Sequence, residues 1–332
     1  MKKRSLMLAA SLGVLALTGC GGPGGGDGEE TAGGGTSRLD TVKARGQLIC
    51  GVDGGIPGFS FVDNGEYSGL DVDTCKAVAA ALFDDPNAVE YRNLDSTERF
   101  EALKGGEVDM LARNTTWTIS RDTSVGMEFA PTTFYDGQGM LVREASGITD
   151  LQGLEGRSVC VEAGTTTELN LTDQFRQLGI KATPQTFQSA DAAYAAYEAG
   201  SCEGMTSDKS QLVARRSTLS NPDEHVLLDV TMSKEPLGPL TINNDSAWFD
   251  TVKWVTYALI QAEEFGLTAA NVEEAINSDN PDIKRFVGAE GTLGSEMELP
   301  NDFALRAALL RESTEERSVL LRAIAFSHQS KP

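Results

Sequence analysis

Residues 109–121 read DMLARNTTWTISR, and their types suit the capture of a small anion. A short apolar run, Met110, Leu111 and Ala112, gives way to small amide and hydroxyl residues and then to one arginine. Strand ends of open α/β sheets face the ligand crevice, where loop N–H groups are free to donate. Asn114, Thr115, Thr116 and Thr118 add side-chain donors, and the planar guanidinium of Arg121 can take a carboxylate through two parallel hydrogen bonds. A solvated threonine-rich loop has the same composition, so the rest of the chain must decide.

A second stretch offers related chemistry. Residues 158–162 (SVCVE) read as a strand, and 163–168 (AGTTTE) open a helix in which Thr165 and Glu168 match a capping box. A helix N-terminus after a strand offers free N–H groups and a favourable dipole to an anion, although capping alone explains the same residues. ALKGGEVDML and AYEAGSCEGM share an order of helix, glycine stop, acidic residue and apolar strand. The first leads to the cation Arg121 and the second to the carboxylate Asp208, a complementary pair.

Other chemistries find less support. The cysteines show no CxxC spacing and the only histidines are His225 and His328, so a metal site is not expected. Residues 21–37 are glycine-rich but lack the Gly-Lys-Ser/Thr ending of a phosphate loop, and no cofactor is expected. A formal charge of −21 argues against nucleic acid and anionic membrane as partners.

The elements that must position these residues follow an α/β pattern across 332 residues, long enough for two domains. Lys2, Lys3 and Arg4 precede an apolar run over 6–17, and Leu17-Thr18-Gly19-Cys20 resembles a bacterial lipobox. Residues 1–19 are thus expected to be a lipoprotein signal peptide, Cys20 the lipidated residue of an extracytoplasmic, membrane-anchored protein, and 20–37 a flexible tether. Cys50, Cys75, Cys160 and Cys202 remain for disulfides. Three pairings are open, and Cys50 with Cys75 and Cys160 with Cys202 is preferred because each stays inside one domain.

Strands are expected over 47–52, 89–92, 107–112, 140–142, 158–162, 202–206, 226–230 and 240–242. Helices are expected after Asp71 or Asp73, around Phe100 and Leu103, over 165–178, 189–199 and 247–265. Chain crossings near Leu141 and Leu240 divide the molecule into one lobe of 38–142 plus 241–300 and a second of 143–240, with 301–332 a tail of uncertain structure.

The residues SGLDVDTCKAVAAALF, RFEALKGGEVDMLARNTTWTISRD, VCVEAGTTTELN, TSDKSQL and SKEPLGPLTINND resemble the type 2 periplasmic binding proteins of amino-acid ABC importers, most closely the general L-amino-acid-binding group. The resemblance runs from about 37 to 299 and implies a two-lobe periplasmic binding protein type II fold, each lobe a mixed sheet flanked by helices, with two hinge crossings. It implies a substrate-binding lipoprotein, a monomer and not an enzyme, that takes an L-α-amino acid by lobe closure and hands it to a membrane permease. It places the carboxylate-binding arginine at Arg121, a hydroxyl partner at Thr116 and a backbone acceptor at Asn114. Gly164, Thr165 and Thr166 fall on the closing loop, Asp208 on the acid that holds the ammonium, and Asp53 on a pocket-lining position. Two departures stand out. Ile56 occupies a position where many relatives carry an aromatic platform, which Trp117 or Phe59 could replace. The ending ALLRESTEERSVLLRAIAFSHQSKP reads either as a divergent amphipathic helix or as the product of a reading-frame change. Two other functions stay open on the same fold: a secreted dehydratase-like enzyme using Asp208, Glu162 or Asp53 as an acid, and an amino-acid sensor subunit.

Overall fold

The computed structural model describes residues 37–310. The expected signal peptide, the lipidation at Cys20, nearly all of the tether and the tail beyond residue 310 lie outside the described residues. Two five-stranded sheets carry the rest. In the first, Val89–Asn93, Leu48–Val52 and Met110–Leu111 run parallel, and Leu240–Ile242 and then Met127–Phe129 complete it, with Leu240–Ile242 antiparallel to both its neighbours. The second repeats this plan. Thr183–Phe187, Ser158–Glu162 and Gly204–Asp208 run parallel, followed by the antiparallel Gln138–Arg143 and His225–Leu227. Strands such as Leu48–Val52 are apolar along their whole length because helices cover both faces of a parallel sheet.

The likeness between 102–111 and 196–205 therefore marks equivalent parts of the two lobes: a helix, a glycine stop and the third parallel strand. Each unit ends at the carboxyl edge of its sheet, where loops are free to meet the other lobe. Trp248 anchors the first of these strands. Its ring is fully buried, and its indole N–H donates to the Asp109 carbonyl at 2.8 Å. The helix that carries it, Ser246–Glu264, packs with Leu70–Phe83 and Phe303–Ala308 on the first sheet. Trp254 on the same helix is instead half-exposed beside Tyr257. Residues 303–308 belong to the packed fold rather than to a tail, since Phe303, Ala304 and Ala307 enter the main core.

Both disulfides join the expected partners, Cys50 with Cys75 and Cys160 with Cys202. Each ties a parallel strand to a neighbouring element within its own lobe.

The crossings lie side by side, because Phe134–Asp136 and Glu235–Leu237 pair as a two-stranded antiparallel ribbon between the sheets. The first crossing thus falls before Gln138, not near Leu141, and Gln138–Arg143 belongs to the second sheet. A single apolar strand carries no sign of which sheet it joins; its pairing with Gly204–Asp208 decides that. The helix expected to be capped by Asp71 or Asp73 starts at Leu70 behind Gly69 at φ 114°. Asp71 is buried and has another partner.

Candidate functional site

The two carboxyl edges face one another across a partly open cavity between the lobes. From the first lobe it is lined by Ile56, Ser96, Arg99, Arg113, Asn114, Thr116 and Arg121, and from the second by Glu162, Thr165, Thr166, Thr167, Ser207, Asp208 and Gln211. Arg121 sits in a wide helical turn, Ser120–Ser124, whose i→i+5 bond runs from Val125 N to Ser120 O at 2.9 Å. Such turns recur at functional sites. Its Nη1 donates to the Thr116 carbonyl at 2.8 Å, and its guanidinium carbon lies 5.4 Å from the centre of the Phe100 ring. Burial lowers its pKa to about 10, against the pull of Glu235 and Asp208.

Asp208 closes the strand Gly204–Asp208 on the facing lobe and is 7% exposed, and its Oδ1 has no hydrogen-bond partner. Burial, then the nearby carboxylates Asp136 and Glu235, push its pKa well above the ordinary range, while Arg121 and Arg99 oppose the shift. Asn114, at φ 39°, donates its backbone N–H to Asp71 at 3.1 Å, and both polar atoms of its side chain are buried without partners. Thr116 reaches across with its hydroxyl, 2.6 Å from Glu235 and 3.4 Å from that of Thr166. Thr165 caps the helix Thr166–Leu178, accepting from Glu168 N at 3.1 Å; Glu168 in turn accepts from Gly164 N rather than from Thr165.

Arg121, Asn114, Thr116, Thr165, Thr166 and Asp208 therefore share one cavity, although they come from both halves of the chain. Asp53 and Gly164 sit differently. Asp53 pairs with Arg113 at 2.7 Å and with Arg215 of the other lobe at 3.8 Å, so it is a counter-ion behind the cavity. Gly164 packs on the opposite lobe, its carbonyl accepting from Arg99 Nη2 at 3.4 Å. Ile56 lines the cavity itself, Phe59 is buried beside it, and Trp117 stacks on Phe129.

Sequence reading missed two arginines. Arg113 is held between Asp53 and Glu162, and those carboxylates keep its pKa raised despite burial. Arg99 begins the helix Arg99–Lys104, and burial, then Arg121 and Arg113, pull its pKa well down. Arg113 was visible inside the RNTTWT stretch; Arg99, opening an ordinary amphipathic helix, gave no signal.

Residues 48–310 match the bacterial extracellular solute-binding proteins, family 3. The chain belongs to that family. This solute-binding protein is 51% identical over 269 residues to the general L-amino acid-binding periplasmic protein AapJ of Rhizobium johnstonii, covering 80% of this chain and 79% of the relative. It is 47% identical to the glutamate/glutamine/aspartate/asparagine-binding protein BztA of Rhodobacter capsulatus, over 82% of this chain and 81% of the relative. Among solved structures, a periplasmic binding protein from Brucella ovis with glutathione bound superposes with a TM-score of 0.80 at 48% identity, covering 82% of this chain and 87% of the other. The type II periplasmic binding fold expected from the sequence is thus the fold observed.

Proposed function

We propose that this solute-binding protein takes an L-α-amino acid into the interlobe cavity and delivers it, from a lipid anchor at Cys20, to an ABC permease in the membrane. One observation carries the reading: a buried guanidinium of the first lobe, Arg121, and a buried acid of the second, Asp208, line the same cavity between the lobes. Amino-acid relatives at 51% and 47% identity support the ligand class.

In this mechanism Arg121 receives the α-carboxylate first, because it belongs to the lobe that presents Thr116 and Asn114 beside it. Closure then brings the hydroxyls of Thr165 and Thr166 to the ligand, and Asp208 to its ammonium. Arriving positive charge draws the proton from Asp208, whose burial otherwise favours the neutral acid. Ligand contacts that exist only in the closed form are what shift the equilibrium towards closure. A micromolar affinity corresponds to about −8 kcal/mol, within reach of a few desolvated charge-assisted bonds.

A thermal-shift screen over the twenty amino acids tests the reading, since a ligand at a hundred times its dissociation constant adds about 2.7 kcal/mol. Arg121→Ala should abolish the response, and Asp208→Asn should weaken it and disfavour closure. Binding that survives intact in Arg121→Ala would defeat the assignment.

A further inference from the structure

Glu235 is a buried acid that no cation neutralises directly. It is 1% exposed and sits on the ribbon strand Glu235–Leu237 between the lobes. Among the described residues no Lys, Arg or His nitrogen lies within 4.0 Å of it. Four neutral donors take the place of a counter-ion. Its Oε2 accepts from the hydroxyls of Thr116 at 2.6 Å and Thr166 at 2.9 Å, and its Oε1 from Asn170 Nδ2 at 3.1 Å and from the hydroxyl of Ser233. These donors fill the roughly four lone-pair sites of a carboxylate. One oxygen thus joins a hydroxyl of the first lobe to a hydroxyl of the second.

The direction of those bonds decides what the cavity offers. A hydroxyl has a single proton to give and lone pairs with which to accept. Thr116 and Thr166 both line the cavity, and both spend their proton on Glu235. Their oxygens lie 3.4 Å apart, and neither has a proton left for the other. Only lone pairs remain for a ligand. Asp136, which pairs with Glu235 across the ribbon, is occupied by Gly137 N at 2.8 Å and by Ser210. Asp208 Oδ1, in contrast, is buried and unpartnered.

Resting on the proposed amino-acid site, we infer that Glu235 is a positioning residue for the ligand's ammonium. It acts through the threonines and is not itself among the residues that line the cavity. By holding both protons it fixes Thr116 and Thr166 as acceptors, and their oxygens join Asp208 Oδ1 in facing the N–H bonds of an ammonium. The Thr116 side chain, expected from the sequence beside the carboxylate, serves the other end of the zwitterion, while its carbonyl holds Arg121.

Calorimetry with two ligand pairs tests this: L-alanine against L-lactate, and L-aspartate against L-malate, each pair differing only in an ammonium for a hydroxyl. Glu235→Gln keeps the shape, but its amide N–H bonds donate to a threonine oxygen and turn that hydroxyl's proton towards the cavity. It should weaken the amino acids about tenfold or more, the scale of a charge-assisted bond, and the hydroxy acids by no more than about threefold. Equal losses within a pair would mark a merely structural role and overturn the inference. Lost charge acting through space is separated by combining Thr116→Val with Thr166→Val, which leaves no hydroxyl to orient. Adding Glu235→Gln to that background should cost the amino acids little more, and a further loss of about tenfold there would also overturn the inference. Thr116→Val alone serves where Glu235→Gln does not fold: it should weaken alanine more than lactate. Unchanged alanine affinity in that variant would overturn the positioning role and leave the amino-acid site standing. An unsubstituted protein that binds neither amino acid defeats the site and the inference together.

Discussion

The guanidinium of Arg113 and the carboxylate of Glu162 meet across the lobes at 3.4 Å, both almost wholly buried. Arg113 keeps Asp53 on its own lobe at 2.7 Å, while Glu162 also accepts from the backbone N–H of Ser96 at 3.2 Å. Opening the lobes would return both groups to water, so the pair should favour a closed arrangement. Glu162→Gln keeps the shape and the acceptor but removes the charge. It should shift the equilibrium towards the open form and weaken ligand binding about tenfold, or 1.4 kcal/mol. Small-angle scattering would read this as a larger radius of gyration at subsaturating ligand, and an unchanged radius would speak against the latch.

Gly164 is one point where the backbones of the two lobes approach closely. Its φ is +72°, and an added Cβ would stand 3.1 Å from the Ser96 carbonyl oxygen and 3.3 Å from Thr97 Cα. Gly164→Ala should therefore cost about 1–2 kcal/mol in backbone strain and add a clash felt only on closure. The expected readout is faster ligand release in stopped-flow measurements, together with a lower melting temperature.

Asp71 brings a pH dependence. Burial is the main cause that raises its pKa from the ordinary 3.8 to about 7, helped by Asp53 and opposed by the Asn114 N–H and by Arg113. The folded protein thus holds this proton more tightly than the unfolded chain. The resulting stabilisation is complete below pH 3.8 and is lost as the pH rises through about 7. Asp71→Asn, which can still accept from Asn114, should be close to the unsubstituted protein in acid and more stable at pH 8. The upper bound on the difference is about 4 kcal/mol. Denaturant melts at pH 4 and pH 8 measure it, and a constant difference at both would reject the assignment.

The disulfides should matter through the unfolded chain. Cys160 and Cys202 are separated by 42 residues and Cys50 and Cys75 by 25. Loop entropy predicts a loss of about 4 kcal/mol for the longer and slightly less for the shorter. Serine double variants, melted side by side, should rank in that order.

Much of this was legible along the chain. Apolar runs such as 158–162 and glycine stops at Gly105 and Gly200 placed strands and helices, because burial on a sheet demands local patterns. The cysteine pairs followed from keeping each bridge within one lobe. Errors came where local pattern is silent. Gln138–Arg143 could pair in either sheet, and the apolar, charged mix of residues 303–308 hid a packed helix.

What the amino-acid sequence determined by itself is the kind of chemistry on offer: a cation after one strand, an acid after another, and hydroxyl-rich loops beside them. Those are properties of residue type and near neighbours. Only the tertiary structure decided which charges are spent and which remain. Arg113 and Arg121 lie eight positions apart on one loop, yet Asp53 and Glu162 neutralise the first and leave the second facing the cavity. Arg99 looked like any helix residue until packing against the other lobe buried it. Charge pairing depends on distance through space, and in a chain that crosses twice between lobes that distance is unrelated to position along it.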